Sequence, residues 1–232
     1  MPSDMTGAHP RYRLLRLATA ALCAWSLGHA ASAGDLHGKV VDGQGRPVPH
    51  AVIVLHGSTP APAPAKAEMA VMDQRGRQFA PHVLVVRRDT QVRFPNSDDI
   101  RHQVYSFSDA KRFSLPLYHG VPAAPIVFDK GGEVALGCNI HDRMIGFIYV
   151  VDSPWFALTD ATGTLAIDNV PAGKYRAQLW YPGLTPNRVI EQPVVVGATG
   201  SVAVTFNNAE REVLPEPAST GGGWGERRNR EQ

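Results

Sequence analysis

Gly137-Cys138-Asn139-Ile140-His141-Asp142-Arg143-Met144 is the stretch on which the reading of this chain turns. It sets a thiol, an imidazole and a thioether at i, i+3 and i+6. Glu133-Val134-Ala135-Leu136 before it and Ile145-Gly146-Phe147-Ile148-Tyr149-Val150-Val151 after it are apolar runs, the second rich in β-branched and aromatic residues, and both predict strands. Three soft or borderline donors therefore share one tight loop between two strands. A second imidazole, His102, lies upstream in Asn96-Ser97-Asp98-Asp99-Ile100-Arg101-His102. Two His, one Cys and a weakly donating Met suit copper in both of its common oxidation states.

The cysteine count bears on the same stretch. The chain holds two cysteines, Cys23 and Cys138. Cys23 falls in residues 1–33, which have the pattern of an export signal: Arg11, Arg13 and Arg16, then the apolar run Leu17 to Leu27, then Ala31-Ser32-Ala33. That run is too short to span a bilayer, and no Arg-Arg pair precedes it. A periplasmic protein is expected, with no membrane span in its mature form and one remaining thiol that has no internal partner. In an oxidising compartment such a thiol is open to attack, and coordination would hold it as a protected thiolate. The alternative is a buried, inert Cys, against which the His at i+3 and the Met at i+6 weigh. A structural zinc site would recruit further Cys or His, and a thioether adds little for zinc. A covalent c-type haem needs Cys-x-x-Cys-His, which is absent.

Charge narrows the partners. The 232 residues include 23 Lys and Arg against 21 Asp and Glu. Loss of residues 1–33 would remove Arg11, Arg13, Arg16 and Asp4, leaving the two signs equal in number. Phosphate binding needs a basic face, so nucleic acid is not an expected partner.

Along the chain, Leu36 to Val41 and Ala51 to Leu55 predict strands around an Asp42-Gly43-Gln44-Gly45-Arg46-Pro47 turn. The Pro/Ala tract 58–67 cannot continue a sheet and predicts a semi-rigid linker. From 68 to 152 the chain is strand-rich again: Ala70 to Asp73, Phe79 to Val86, Thr90 to Phe94, Val104 to Phe107, Pro125 to Phe128, and the hairpin around Cys138. From 153 to 207, Leu165 to Ile167 and Tyr175 to Trp180 predict strands, and Ile190 to Val196 and Ser201 to Phe206 a hairpin around Gly197-Ala198-Thr199-Gly200. No amphipathic helix is predicted. Residues 208–232 are poor in apolar side chains and predict disorder. Short strands with frequent turns imply an all-β sandwich or barrel.

Residues 68–152 resemble the cupredoxins, on the Asn96…His102 element, the Phe79-Ala80-Pro81 strand start and the Cys-x-x-His-x-x-Met loop, whose spacing is similar to that of the amicyanins. Asn96-Ser97-Asp98, Val104-Tyr105-Ser106-Phe107-Ser108, Leu115-Pro116-Leu117-Tyr118 and Gly137 to Asp142 are similar to the plastocyanin-like proteins called methylamine utilization proteins. The resemblance implies a Greek-key β-sandwich holding one type 1 (blue) copper on His102, Cys138, His141 and an axial Met144. It also implies a residue after the first His that ties the two ligand loops together. That residue is often Asn, and here it is Gln103. The flanks resemble carboxypeptidase regulatory-like, or transthyretin-like, sandwiches on Gly38 to Val52 and on Thr159-Asp160…Gly163 and Asn169 to Tyr175. Neither flank alone supplies the strands for two sheets, so residues 35–57 and 153–207 are expected to form one small sandwich into which the copper unit is inserted.

The expected function is one-electron transfer between redox partners such as a dehydrogenase or a cytochrome. His141 would serve as the port, rimmed by Ile140, Met144, Ile145 and Phe147. The alternative is a copper carrier or store without electron transfer, which would favour open Met- or His-rich sites. No Ser/His/Asp spacing and no second ligand cluster points to an enzyme. Glu133 and Asp142 lie near the loop without ligand spacing, and His37, His50, His56, His82 and His119 are expected at the surface.

Overall fold

The computed structural model describes residues 33–57, 68–122, 124–141, 143–184 and 190–209. The expected linker and nearly all of the expected signal and tail lie outside these residues. Among the described residues there are seventeen strands and no helix, hence none long and apolar enough to cross a membrane. In chain order they are β1 (Ala33–Asp42), β2 (Val52–Gly57), β3 (Met69–Val71), β4 (Asp73–Arg75), β5 (Gln78–Ala80), β6 (Val83–Arg87), β7 (Thr90–Arg93), β8 (His102–Ser106) and β9 (Phe113–Tyr118). They continue as β10 (Ile126–Phe128), β11 (Gly132–Gly137), β12 (Ile145–Val151), β13 (Phe156–Leu158), β14 (Thr164–Pro171), β15 (Gly173–Trp180), β16 (Ile190–Val196) and β17 (Ser201–Ala209).

The strands sort by sheet into two sets. β14-β1-β17 and β13-β2-β15-β16 draw only on the flanks. β6-β12-β11-β8-β9, β10-β7-β3 and the β4-β5 hairpin draw only on the middle. Alternation explains the first set: Leu36 and Val40 on β1, Ile53 and Leu55 on β2, Ala177 and Leu179 on β15, and Val204 and Phe206 on β17 are all buried together. The middle set closes over Met72, Phe79, Val92, Phe94, Val104, Phe128, Val134, Leu136 and Ile148, with Cys138 and Met144 in the same cluster.

The two sets are not separate beads. Val52 through Leu55 are all buried, so β2 is covered on both faces. Ile53 meets the β1 sheet at Gly38, while Val83, Phe147 and Val151 from the middle belong to the flanking core. Trp180 of β15 stacks on Tyr149 of β12 at 4.4 Å and 9°, and its Nε1 donates to Glu133 Oε2 at 3.0 Å. Burial of Glu133 pushes its pKa up, opposed by the Trp180 bond. The flanking and middle sets are thus joined by continuous apolar contact.

Four readings of the sequence need correction. Ser201–Ala209 forms no hairpin with Ile190–Val196: β16 pairs with β15, and β17 crosses to lie parallel to β1. Phe79 to Val86 is two strands, broken at Pro81, which has no N–H to give a ladder. The β4-β5 hairpin, β9 and β13 were not expected. β9 carries Pro116, which edge strands tolerate. Finally, His50 is exposed as expected, but His82 is partly buried. Their rings meet edge-to-face at 5.7 Å, and His82 packs on Phe147 at 5.6 Å.

That pair carries a pH prediction. Burial lowers the pKa of His50; burial first, then His50, lowers that of His82 despite its bond to the Ile145 carbonyl. A base whose pKa is lower folded than unfolded draws protons toward the unfolded chain. The stability is intact above the ordinary imidazole value of about 6.5 and is lost as pH falls below it through the lower folded values. The urea midpoint of the metal-free protein should therefore fall between about pH 7 and about pH 5, and less so in His82→Asn. A midpoint with the same slope in both proteins would rule the pair out as its cause.

Candidate metal centre

His102, Cys138 and His141 converge. One ligand atom from each lies within 4.8 Å of the others, and Cys138 Sγ is 3.9 Å from His102 Nδ1. Metal bonds of about 2.0–2.1 Å to nitrogen and about 2.3 Å to sulfur bridge such a gap. Among the described residues this is the group of three or more His, Cys, Asp or Glu donors placed to share one ion.

Each element has a physical reason for its place. β11 and β12 pair in register from Gly132↔Val150 to Gly137↔Ile145, so the residues between them must turn tightly. The Met144 N–H donates to the His141 carbonyl at 2.8 Å, closing that turn. Gly137 is required because Tyr105 of β8 lies over it: a Cβ there would sit 2.6 Å from the phenol ring. His102 is the first residue of β8 rather than a loop residue, and is fully buried.

Among the described residues, His141 and Cys138 stand without competing partners of their own kind. His141 Nδ1 is buried and has no hydrogen-bond partner, which is uncommon for a buried polar atom. Burial first, then the neighbouring His102 and Arg77, lowers the His141 pKa against the opposing pull of Asp98, which favours the neutral ring. Cys138 is buried and has no disulfide partner among the described residues. Met144 is buried in the same apolar cluster.

Around the donors runs a hydrogen-bonded frame. His102 Nε2 lies 2.7 Å from Asp98 Oδ2, within hydrogen-bond distance. Burial pushes the Asp98 pKa up, but the Arg77 amide, His102 and the Gly76 amide outweigh this and hold it below the usual carboxylate value. Asn96 Nδ2 donates to the Ile100 and Tyr118 carbonyls at 2.8 and 2.9 Å. Tyr118, its pKa pushed up to about 12 mainly by burial, donates to the Phe94 carbonyl at 2.7 Å and accepts from Gln74. Gln103, the departure from the usual Asn, accepts from Asn139 Nδ2 of the ligand loop at 2.7 Å and donates to Ser114 at 3.2 Å. It joins the two loops from one methylene further out.

Of the expected apolar rim, Ile140 is 51% exposed beside the partly exposed His141, whereas Met144 and Phe147 are 1% and 5% exposed. Phe147 and Ile145 instead pack into the flanking core. The site residues that sequence reasoning missed are Asp98, Gln74 and Tyr118. Asp98 and Tyr118 lay in stretches that carried a family resemblance without a site role, and the i, i+4 spacing of Asp98 to His102 means little outside a helix.

No protein-family description and no curated protein matches the chain. Solved structures do. A purple cupredoxin from Nitrosopumilus maritimus is 19% identical over 36% of this chain and 99% of its own, at a TM-score of 0.31. A copper-containing nitrite reductase from Thermus scotoductus is 24% identical over 49% of this chain and 28% of its own, at 0.34. An oxidised amicyanin variant is 18% identical over 43% of this chain and 98% of its own, at 0.33. At these identities and TM-scores the likeness carries no statement about chemistry, which rests on the donors themselves.

Proposed function

We propose that this chain is a periplasmic electron-transfer protein with one type 1 copper held by His102, Cys138 and His141 and, axially, by Met144. It would pass single electrons between redox partners, a dehydrogenase or a cytochrome, and catalyse no reaction of its own. The supporting observation is the convergence of two imidazoles and a thiol within 4.8 Å, with one imidazole nitrogen buried and unpartnered. A copper ion bound there would supply reversible one-electron exchange. The chain's part is to hold its donors still, because a carrier that rearranges between oxidation states is slow. β8, β11 and β12 do that, and the Gln103–Asn139 bond locks the loops to each other. His141, the ligand that reaches solvent, beside exposed Ile140, is the port. The same reading takes the middle strand set as a copper domain inserted into a regulatory-like flanking sandwich.

The test is electron paramagnetic resonance and visible absorption of the Cu(II)-loaded protein. An intense thiolate-to-copper band is expected, with reversible voltammetry; a colourless tetragonal Cu(II) species sinks the proposal, and a blue but electrochemically irreversible one favours storage. Met144→Leu conserves volume at a buried position and should cost under about 1.5 kcal/mol of stability. It should retain copper and raise the reduction potential, because the axial donor tunes it. An unchanged potential would remove Met144 from the ligand set.

A further inference from the structure

His102 is held at both ring nitrogens, and what holds the outer one is built for the purpose. Nδ1 faces Cys138 Sγ at 3.9 Å; Nε2 is 2.7 Å from Asp98 Oδ2. Asp98 is itself clamped. Its Oδ1 accepts from the Gly76 N–H at 2.6 Å and its Oδ2 from the Arg77 N–H at 2.8 Å. Gly76 and Arg77 are the two-residue loop of the β4-β5 hairpin, both in the left-handed region at φ 62° and 60°. This is the I′ geometry of tight hairpins. Glycine adopts it freely, but arginine does so at a cost. The turn aims both amides at one carboxylate. Ser97 Oγ is 2.9 Å from either oxygen of Asp73, which pins the same loop from the other side.

Resting on the copper reading, we propose that Asp98 is the positioning residue of the centre: its carboxylate fixes His102 as the Nε2–H tautomer, directs Nδ1 to the metal, and favours Cu(II) over Cu(I). The physical reason is direct. A proton on Nε2 leaves the lone pair on Nδ1, and a carboxylate sharing that proton makes the ring a stronger donor. A stronger donor, and one more negative charge close by, both stabilise the higher oxidation state. The β4-β5 hairpin thereby acts on the metal without touching it.

Asp98→Asn keeps the shape and removes the charge. Outer-shell substitutions of this kind typically cost about 10- to 100-fold in metal affinity, and the loss here should fall on Cu(II) more than on Cu(I). Each tenfold difference between the two raises the reduction potential by about 59 mV for one electron. Ser97→Ala, which loosens the same loop but leaves the carboxylate, is the control and should leave the potential unchanged. An equal shift in both variants means that Asp98 acts only through loop structure, and overturns the proposal. The tautomer is read without any substitution, from the ¹⁵N shifts of the His ring in the metal-free and Zn(II)-loaded wild type: Nε2–H on His102 is expected, and a proton on Nδ1 in the metal-free protein, or zinc on Nε2, overturns it. Absence of copper binding by the wild type sinks the copper reading. Copper bound normally, with an unchanged potential in Asp98→Asn, sinks this inference alone.

Discussion

On the copper reading, Cys138→Ser should abolish the intense visible band of the copper-loaded protein and weaken its hold on Cu(II) by orders of magnitude. The sulfur is the one soft, anionic donor in the set, and a band of thiolate-to-copper origin cannot survive its removal. Serine is nearly isosteric, but its hydroxyl stays protonated at neutral pH and binds copper poorly. Cys138 is 4% exposed, so the buried hydroxyl also costs about 1–3 kcal/mol of stability. A fold this rich in long-range sheet pairing should absorb that, and far-ultraviolet circular dichroism checks it. Titration with Cu(II), followed by absorbance, gives the result. A Ser variant that takes up copper with the band intact would remove Cys138 from the centre.

Trp180→Ala has the largest expected effect on stability. The indole is 5% exposed, stacked on Tyr149 and edge-on to Phe147 at 6.2 Å. Truncating a buried aromatic costs about 3–5 kcal/mol. Here it also strips Glu133 of its hydrogen-bond donor in a setting whose burial already favours the neutral carboxyl. Trp180→Phe keeps most of the apolar contact and should lose about 1–3 kcal/mol through the missing N–H alone. Urea denaturation measures both. A loss under about 1 kcal/mol in Trp180→Ala would mean that the flanking and middle strands fold independently of each other.

What the sequence disclosed and what it hid divide along one line. The loop was legible as a turn because strands flank its three candidate donors on both sides. The convergence of His102 on Cys138 and His141 was legible by chemistry: a Cys, one His and a Met call for a second imidazole. The all-β class followed from short alternating runs, and the grouping of the flanks from a shortage of strands in each. Partner choice was not legible. Val194 and Val196 on β16 and Val204 and Phe206 on β17 alternate alike, and the Gly197 to Gly200 turn serves a hairpin or a crossover equally well. Which sheet each strand joins is decided by the core. The same holds for Asp98, whose worth depends on a hairpin more than twenty residues upstream. It holds too for His50 and His82, brought together only when the flanks close on the middle.

β1 is the central strand of its sheet, between β14 and the parallel β17. Both of its neighbours are made after the whole middle set. During synthesis it therefore waits, with two bare hydrogen-bonding rims, while more than a hundred residues are added. The middle set needs no segment from beyond itself to complete its ladders, so its pairings have the smaller loop-closure entropy. Among the described strands, the topology therefore favours pairing of the middle set before β1 finds β14 and β17.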